Sequence, residues 1–254
     1  DEMVGKKVRG VWRKSKMIVI EFVPTKGRGS DEKWNKVVLI HLKMTGQLVL
    51  VNKKKRLAGG HPTADWVNEL PSKHTRVIIS FGSDLELFFN DMRVFGWVKI
   101  VNEEEKDLEM IKYGPDVNSR KFNFKYLKQA LKSSGRAVKA VILDQKKIGG
   151  IGNIYANDGL YLAKVNPKKP SNKLSKSEIE RLCKALKIVI KKSIKLGGAS
   201  ERDFVHADGM GGSYQKHFLI YKKDGKPCRW CKKGIIEKVK LGGRGTYYCP
   251  KCQC

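Results

Sequence analysis

The spacing of four cysteines constrains this chain more than any other feature. They form the pattern C-x₂-C-x₁₇-C-x₂-C, which lies within the range of zinc ribbons. Four thiolates complete a tetrahedral shell and leave no position for water or substrate. The pattern therefore predicts one structural Zn²⁺ that stabilises a small hairpin and takes no part in catalysis. The predicted ligands are Cys228, Cys231, Cys249 and Cys252.

The charge of the chain indicates a polyanionic partner. Its 254 residues include 53 Lys and Arg against 25 Asp and Glu, a formal net charge of +28. Such an excess favours phosphates, because neutralising them releases condensed counterions. We expect nucleic acid first and an anionic membrane surface second. No apolar run reaches the roughly 18 residues of a membrane span. The clustered cysteines favour a reducing compartment, the cytoplasm or, in a eukaryote, the nucleus.

The order of the patterns along the chain predicts an α+β protein with segregated domains. Seven short β-branched or aromatic runs, separated by turn segments such as NKKKRLAGGHP, predict a sandwich or barrel in roughly the first hundred residues. Helical spacing follows, and the cysteine hairpin comes last. We predict a β-sandwich over residues 1–112, a helical DNA-binding domain over 113–216 and a zinc finger over 217–254.

The longest predicted helix starts at a serine cap and carries one apolar stripe. We expect this stripe to be core, and Cys183 beside it to be a small buried hydrophobic residue. The stripe consists of Ile179, Leu182, Leu186, Val189, Ile190 and Ile194.

Two glycine-rich segments are candidates for phosphate binding. Arg244 lies between glycines at the tip of the cysteine hairpin, where the backbone can approach a ligand closely. Gly149, Gly150 and Gly152 precede a helix that starts near Asn153, and amides at such a start bind phosphate. A glycine turn can also serve only as a tight connection between helices. On this basic chain we favour a grip on a DNA backbone.

Large side chains occupy two predicted turns between strands. HLKMTGQL contains Met44, and NDMRVFGW contains Arg93 and Phe95. One interpretation is that they close the end of the sandwich. The other is a wedge that enters DNA and fills the gap left by an extruded base.

Taken together, these segments resemble the formamidopyrimidine-DNA glycosylases, relatives of endonuclease VIII. HLKMTGQL, KHTRV, DMRVFG, GGIGNIYAND, ADGMGGSYQ and the zinc hairpin occur in the order of that family. The resemblance covers nearly the whole chain. It implies a β-sandwich, a helix–two-turn–helix module and a zinc finger, with double-stranded damaged DNA bound between the two halves.

The resemblance also implies roles for individual residues. Met44, Arg93 and Phe95 would fill the void in the duplex. A loop over residues 207–215 would close on the extruded base, with Asp208, Gly209, Gly212 and Tyr214 as its members. The phosphate ligands would be Lys73, Asn153, Arg244 and Lys139. We expect a monomeric, cytoplasmic protein that associates with the nucleoid through DNA and has no membrane partner.

The chain departs from the family pattern at the nucleophile. The family begins with Pro-Glu, whose proline amine forms a Schiff base with the sugar, whereas the first proline here is Pro24. We expect a fragment of a normal enzyme, inactive as given. Smaller departures are Lys43 in place of a frequent glycine, Val94 in place of a second arginine, and Asp158 in place of a longer glutamate.

The resemblance predicts a DNA glycosylase with β,δ-lyase activity that removes oxidised purines, namely 8-oxoguanine and formamidopyrimidines, in base-excision repair. A non-catalytic binder of damaged or abasic DNA is the alternative. A zinc-ribbon protein that binds RNA or the ribosome would explain the charge but not the ordered motifs.

Overall fold

The computed structural model describes residues 3–24, 34–53, 55–61, 69–199 and 212–254. The chain forms two compact units. The first contains the described residues up to Lys112 together with Ala199 and Gly212, and the second contains residues 113–198 and 213–254. Within the described ranges, no helix combines the length and the apolar character that crossing a membrane requires.

The first unit contains two antiparallel four-stranded sheets packed as a sandwich. Ile20 and Ile40 of one sheet share a buried cluster with Phe89 of the other. The strands are β1 (Lys6–Lys14), β2 (Met17–Pro24), β3 (Lys36–His41), β4 (Gly46–Asn52), β5 (Arg56–Gly60), β6 (Thr75–Phe81), β7 (Leu85–Asp91) and β8 (Trp97–Asn102). Their orders are β1-β2-β3-β8 and β5-β4-β7-β6. The predicted sandwich is confirmed.

One strand escaped the sequence analysis. The segment NKKKRLAGGHP was predicted as a turn, yet all of β5 pairs with β4 at the edge of its sheet. Gly59 and Gly60 hid this strand, because glycine is depleted in strands. An edge strand needs only its backbone groups to extend the ladder. The turn prediction was therefore wrong here.

Two connections cross from one sheet to the other at the same end of the sandwich. β3 continues into β4 through residues 42–45, and β7 continues into β8 through residues 92–96. His41 pairs with Trp97 in one sheet, and Gly46 pairs with Asp91 in the other. These pairings bring the two crossing turns side by side.

The second unit is built around helices that bury their apolar faces in a common core. Ser175 and Glu178 form a capping box at the start of the longest helix. Ile194, near its end, is 60% exposed, so the stripe prediction is wrong for its last member, which lies in a solvated turn with two lysines. The helices are α1 (Glu103–Ile111) in the first unit and α2 (Phe124–Lys132), α3 (Val138–Leu143), α4 (Asn153–Leu162) and α5 (Lys176–Lys195) in the second.

A close backbone approach shapes the glycine turn before α4. The Gly114 N–H donates to the Gln145 carbonyl at 2.9 Å, and the Gly149 N–H donates to the Pro115 carbonyl at 3.0 Å. Gly150 has φ = +84°, a conformation that glycine adopts without strain. The turn therefore packs against the start of the second unit and delivers the chain to α4.

A two-stranded ribbon completes the second unit. It consists of β9 (Glu237–Leu241) and β10 (Arg244–Tyr248), paired antiparallel. The confirmed fold is thus a mixed α+β protein with a helix–two-turn–helix module and a zinc-finger hairpin. The predicted boundary after residue 216 stays a prediction, since the helices and the ribbon lie in one compact unit.

Gly114 offers a test of this packing. A Cβ at Gly114 would overlap the backbone carbonyl of Lys147, whereas a Cβ at Gly135 would find its nearest neighbour 3.9 Å away. We expect Gly114→Ala to lower the free energy of unfolding by about 1–3 kcal/mol, the usual cost of overpacking. Gly135→Ala is the matched control and should change stability little. Denaturant midpoints measure both, and equal midpoints for the two variants would contradict the close approach.

Candidate nucleic-acid interface and metal centre

The four predicted cysteine ligands meet at one point. All their sulfur atoms lie within 4.8 Å of one another, with Cys228 and Cys252 at 3.6 Å and Cys231 and Cys249 at 3.8 Å. A tetrahedron with Zn–S bonds of about 2.3 Å has edges of about 3.8 Å. The donor set and its dimensions therefore fit one Zn²⁺ with a closed shell. This confirms the predicted structural zinc site.

Neighbouring groups favour the thiolate form of one ligand. Burial opposes ionisation of Cys228, but hydrogen bonds from the Tyr161 hydroxyl and from the backbone amides of Trp230 and Cys231 outweigh it and lower its pKa to about 6. The Tyr161 hydroxyl lies 3.2 Å from the Cys228 sulfur. A helix residue, from α4, thus supports the metal centre directly.

The hairpin tip presents Arg244 from a rigid turn. Gly242 and Gly243, with φ = +54° and +75°, make the reversal between β9 and β10. Arg244 follows them and is exposed. The next carbonyl, that of Gly245, accepts hydrogen bonds from Lys139 Nζ at 2.8 Å and from Asn153 Nδ2 at 3.1 Å. The tip is therefore fixed to α3 and to the start of α4.

Asn157 adds a further link between α4 and the ribbon. Its Oδ1 accepts from the Tyr247 N–H at 2.8 Å, and its Nδ2 lies 3.4 Å from the Gly245 carbonyl oxygen. Asn153 and Asn157 lie one helical turn apart and face the same strand. Sequence analysis selected Asn153 and missed Asn157, whose signal was this i, i+4 spacing.

Lys139 is buried rather than exposed to solvent. Its side chain is 1% exposed, and its ammonium bonds the Gly245 carbonyl and the Thr246 hydroxyl, each at 2.8 Å. Burial, and secondarily the charge of Arg244, lowers the pKa of Lys139 to about 7. A direct phosphate contact by Lys139 stays a prediction. The contact that the structure describes is with the strand that carries Arg244.

The three predicted void-filling residues lie together on the crossing turns of the first unit. The guanidinium carbon of Arg93 lies 4.6 Å from the centre of the Phe95 ring. Its Nη1 lies 4.0 Å from the Met44 sulfur. Met44 is 65% exposed and Phe95 52% exposed. The cluster projects apolar surface and one positive charge into solvent.

A buried carboxylate holds the two crossing turns. Asp91 accepts hydrogen bonds from the Thr45 hydroxyl on one turn and, on the other, from the Gly96 N–H at 2.6 Å and the Arg93 N–H at 3.2 Å. Burial would raise the pKa of Asp91, but these bonds outweigh it and hold the pKa below its usual value. Asp91 is 1% exposed. Asp91 was not among the predicted site residues, because nothing in the sequence shows that this aspartate is buried.

Two departures from the family pattern occupy left-handed backbone. Lys43 has φ = +50° and Val94 has φ = +57°. This conformation explains why glycine is frequent at the position of Lys43. For the β-branched Val94 it is a strained conformation, which the surrounding turn must hold in place.

The sequence did not indicate that His41, Lys43 and Lys16 lie close together beside the Met44 turn. Burial lowers the pKa of His41 to about 4, and the charges of Lys43 and Lys16 contribute to the shift. The Lys43 N–H donates to His41 Nδ1 at 2.9 Å, so the neutral ring carries its proton on Nε2. The signal was the histidine at the end of a strand, directly before the predicted turn.

The remaining predicted residues lie elsewhere. Lys73 is exposed in the turn before β6, and its role as a phosphate ligand stays a prediction. Asp208 and Gly209 lie outside the described residues, and the role of Gly212 also stays a prediction. Tyr214 is 1% exposed and donates to Asp158 Oδ2 at 3.0 Å.

Asp158 on α4 fixes the segment that follows Tyr214. Its carboxylate accepts from the backbone N–H groups of Leu219 at 3.1 Å, Ile220 at 3.0 Å and Tyr221 at 3.3 Å. Burial is the largest influence on the pKa of Asp158 and raises it. An aspartate suffices here because the donating segment lies directly against the helix.

Three family models match the chain in order. The formamidopyrimidine-DNA glycosylase N-terminal domain matches residues 1–98, the formamidopyrimidine-DNA glycosylase H2TH domain matches residues 113–205, and a zinc finger found in FPG and IleRS matches residues 225–253. A sandwich, this helical module and a zinc ribbon together define a class of DNA-repair glycosylases.

Individual relatives agree. The formamidopyrimidine-DNA glycosylase of Listeria monocytogenes serovar 1/2a is 35% identical over 253 residues, which cover 99% of this chain and 83% of the relative. That of Carboxydothermus hydrogenoformans is 37% identical over 251 residues, with 99% and 82% covered. The Lactococcus lactis Fpg in complex with an abasic site containing DNA has a TM-score of 0.80 at 30% identity, with 99% and 84% covered.

The chain therefore belongs to the formamidopyrimidine-DNA glycosylase family. Members of this family are DNA glycosylases, and the chain is a DNA-binding, zinc-finger protein of base-excision repair that acts on damaged DNA. The family resemblance inferred from the ordered motifs is confirmed.

Asp91 can be tested through its pH dependence. Asp91→Asn removes the charge and replaces one of the two acceptor oxygens with an NH₂ group, so that the donors facing that atom lose their acceptor. This should lower the free energy of unfolding at pH 7 by about 2 kcal/mol. Because the pKa of the carboxyl group is lower in the folded state, the ionised group stabilises the folded state at pH values above its ordinary pKa of about 3.9. That stabilisation is lost as the pH falls through the pKa of the folded state. The difference between wild type and variant should therefore shrink in acid. Asp84→Asn, in an exposed pair with Lys53 at 2.6 Å, is the control and should change little.

Lys139 predicts a second rise of stability with pH, in an alkaline window. Its pKa is about 7 in the folded chain and about 10.4 in an unfolded one. The folded state therefore binds fewer protons between these values, and stability rises with pH across that window. Lys139→Met, which does not titrate, should lose this rise. Urea unfolding at pH 7 and pH 9.5 measures this rise. An equal change in the free energy of unfolding of wild type and variant between these pH values would refute a buried amine at Lys139.

Proposed function

We propose that this chain serves the excision of oxidised purines, 8-oxoguanine and formamidopyrimidines, with cleavage of the abasic strand by β,δ-elimination. The observation that carries the proposal is the cluster of Met44, Arg93 and Phe95, in contact and exposed on adjacent turns. Two apolar side chains and one cation suit the space that an extruded nucleotide leaves between bases. A mutant of the relative from Lactococcus lactis forms a complex with a Fapy-dG containing DNA.

Different residues of this chain would make different contacts with the DNA. The wedge would occupy the duplex while the damaged nucleotide is extruded. Arg244 and Asn153 would hold phosphates near it, with Arg244 positioned by the bonds from Lys139 and Asn153 to the next carbonyl. His41 and Lys16, beside the Met44 turn, would add donors for the backbone on the side of the first unit. We further propose a monomer that works on DNA in the cytoplasm.

The covalent chemistry follows from the family resemblance. A secondary amine attacks C1′ of the sugar and loses its proton, and the glycosidic bond breaks as the base leaves with a proton. The sugar ring then opens at the C1′–O4′ bond, O4′ takes up a proton, and the amine and C1′ form an iminium. Abstraction of a proton from C2′ then expels the 3′ phosphate, and a second elimination expels the 5′ phosphate. Zinc supplies no step, because its four thiolates leave no open position.

Borohydride trapping on an abasic duplex tests the enzymatic proposal. We expect a protein of these 254 residues alone to give no adduct, because Pro24 is their first proline. A version carrying a Pro-Glu start in the position of the family should give one, and should release 8-oxoguanine from a duplex faster than an oxidised pyrimidine. If that version bound abasic DNA but neither cut nor cross-linked it, the chain would be a non-catalytic binder. An adduct from the 254 residues alone would refute the assignment of the amine.

Arg244 offers a test of the phosphate grip. Arg244→Ala should weaken binding to an abasic-site duplex and reduce the slope of log K against log salt by about 1, the value for one phosphate contact. Lys176→Ala, an exposed cation at the start of α5, is the control and should leave the slope unchanged. An unchanged slope for Arg244→Ala, measured by fluorescence anisotropy, would remove Arg244 from the interface.

A further inference from the structure

Trp230 is more exposed than any other tryptophan that the structure describes. Its exposed fraction is 52%, against 37% for Trp12, and it lies between two zinc ligands in the sequence CRWC. A scattered apolar residue on a surface needs no explanation. Trp230 differs because of its rigid support and its charged neighbours.

The metal-binding turn fixes the position of Trp230. The Cys228 N–H donates to the Gly234 carbonyl at 2.8 Å, and the Lys232 N–H donates to the Cys228 carbonyl at 2.8 Å. One side of the indole meets Tyr161, with ring centres 6.2 Å apart. A large aromatic side chain held in this way loses little conformational entropy when it binds a ligand.

The sequence on both sides of Trp230 is strongly basic, and a further lysine lies close to its ring. Lys164 Nζ lies 5.9 Å from the centre of the indole ring. Residues 222–233 contain six basic side chains and one acidic one, in the sequence KKDGKPCRWCKK. An aromatic face among cations matches the pattern by which proteins bind single-stranded nucleic acid, where bases stack on rings and cations follow the backbone. It does not match an apolar protein partner.

This surface lies at the other end of the ribbon from Arg244. Arg244 pairs with Leu241 at the tip, whereas Tyr248 pairs with Glu237 next to the metal ligands. Five residues of strand separate the two ends by about 13–16 Å. Trp230 is therefore outside the group formed by Arg244, Asn153 and Lys139.

We propose that Trp230 is a stacking platform for an unpaired base of single-stranded DNA, and that the exposed basic side chains of residues 222–233, together with Lys164, hold the adjoining phosphates. This second nucleic-acid contact does not depend on the glycosylase activity. It would hold an unpaired strand beside the duplex that the Arg244 site binds.

The test is binding of a fluorescein-labelled oligo(dT) to the full chain, measured by anisotropy, beside binding to an abasic-site duplex. Trp230→Ala should weaken oligo(dT) binding by about 5-fold to 150-fold, the range for loss of one base stack. Trp230→Phe should restore most of it, since every aromatic ring offers a face. Affinity for the duplex should stay within about twofold of wild type, whereas Arg244→Ala should reduce it.

Ile235 is the matched control, because it is also 52% exposed and lies in the same metal-binding segment. Ile235→Ala should leave oligo(dT) binding unchanged, and each variant should retain its zinc. Three results would overturn the proposal: unchanged oligo(dT) binding by Trp230→Ala, an equal loss in Ile235→Ala, or an equal loss of duplex and oligo(dT) binding in Trp230→Ala. None of them would bear on excision, which the trapping experiment tests separately.

Discussion

The hydrogen bonds accepted by the Asp91 carboxylate are the interaction on which the exposed cluster of the first unit depends. The chain crosses between the sheets twice at one end of the sandwich, and each crossing turn carries exposed side chains that packing alone does not hold. One buried carboxylate joins the Thr45 hydroxyl on one turn to the Arg93 and Gly96 amides on the other. This link costs desolvation of a charge, which the converging donors offset. This link fixes the relative position of the two turns that carry Met44, Arg93 and Phe95.

In the second unit, a buried cation rather than a buried carboxylate helps to fix an exposed turn. A ribbon tip built on glycines is free to move unless something outside the ribbon binds it. Lys139 and Asn153 converge on the Gly245 carbonyl, one residue beyond Arg244. The metal stiffens the far end of the ribbon, and the helices fix the near end. The zinc site and the buried Lys139 therefore both restrict the position of Arg244.

Sequence reasoning reached the residues whose chemistry depends on local spacing. The cysteine pattern predicted the metal site, and the two turn segments predicted the exposed cluster of Met44, Arg93 and Phe95, whose role as a wedge stays a prediction. It failed where a distant segment decides the outcome. Lys139 is buried by a strand more than a hundred residues further along. Asp91, Asp158 and His41 are ordinary residues until the fold surrounds them, and β5 is formed by backbone pairing that its glycines conceal.

The most direct test of the wedge is the fluorescence of 2-aminopurine placed opposite an abasic site in a duplex. Binding of the chain should raise the fluorescence, because Met44, Arg93 and Phe95 separate the reporter base from its neighbours. The double variant Met44→Ala/Phe95→Ala should still bind through its phosphate contacts and leave the fluorescence unchanged. An equal rise with the double variant would contradict the account, because base unstacking would then not depend on the crossing turns.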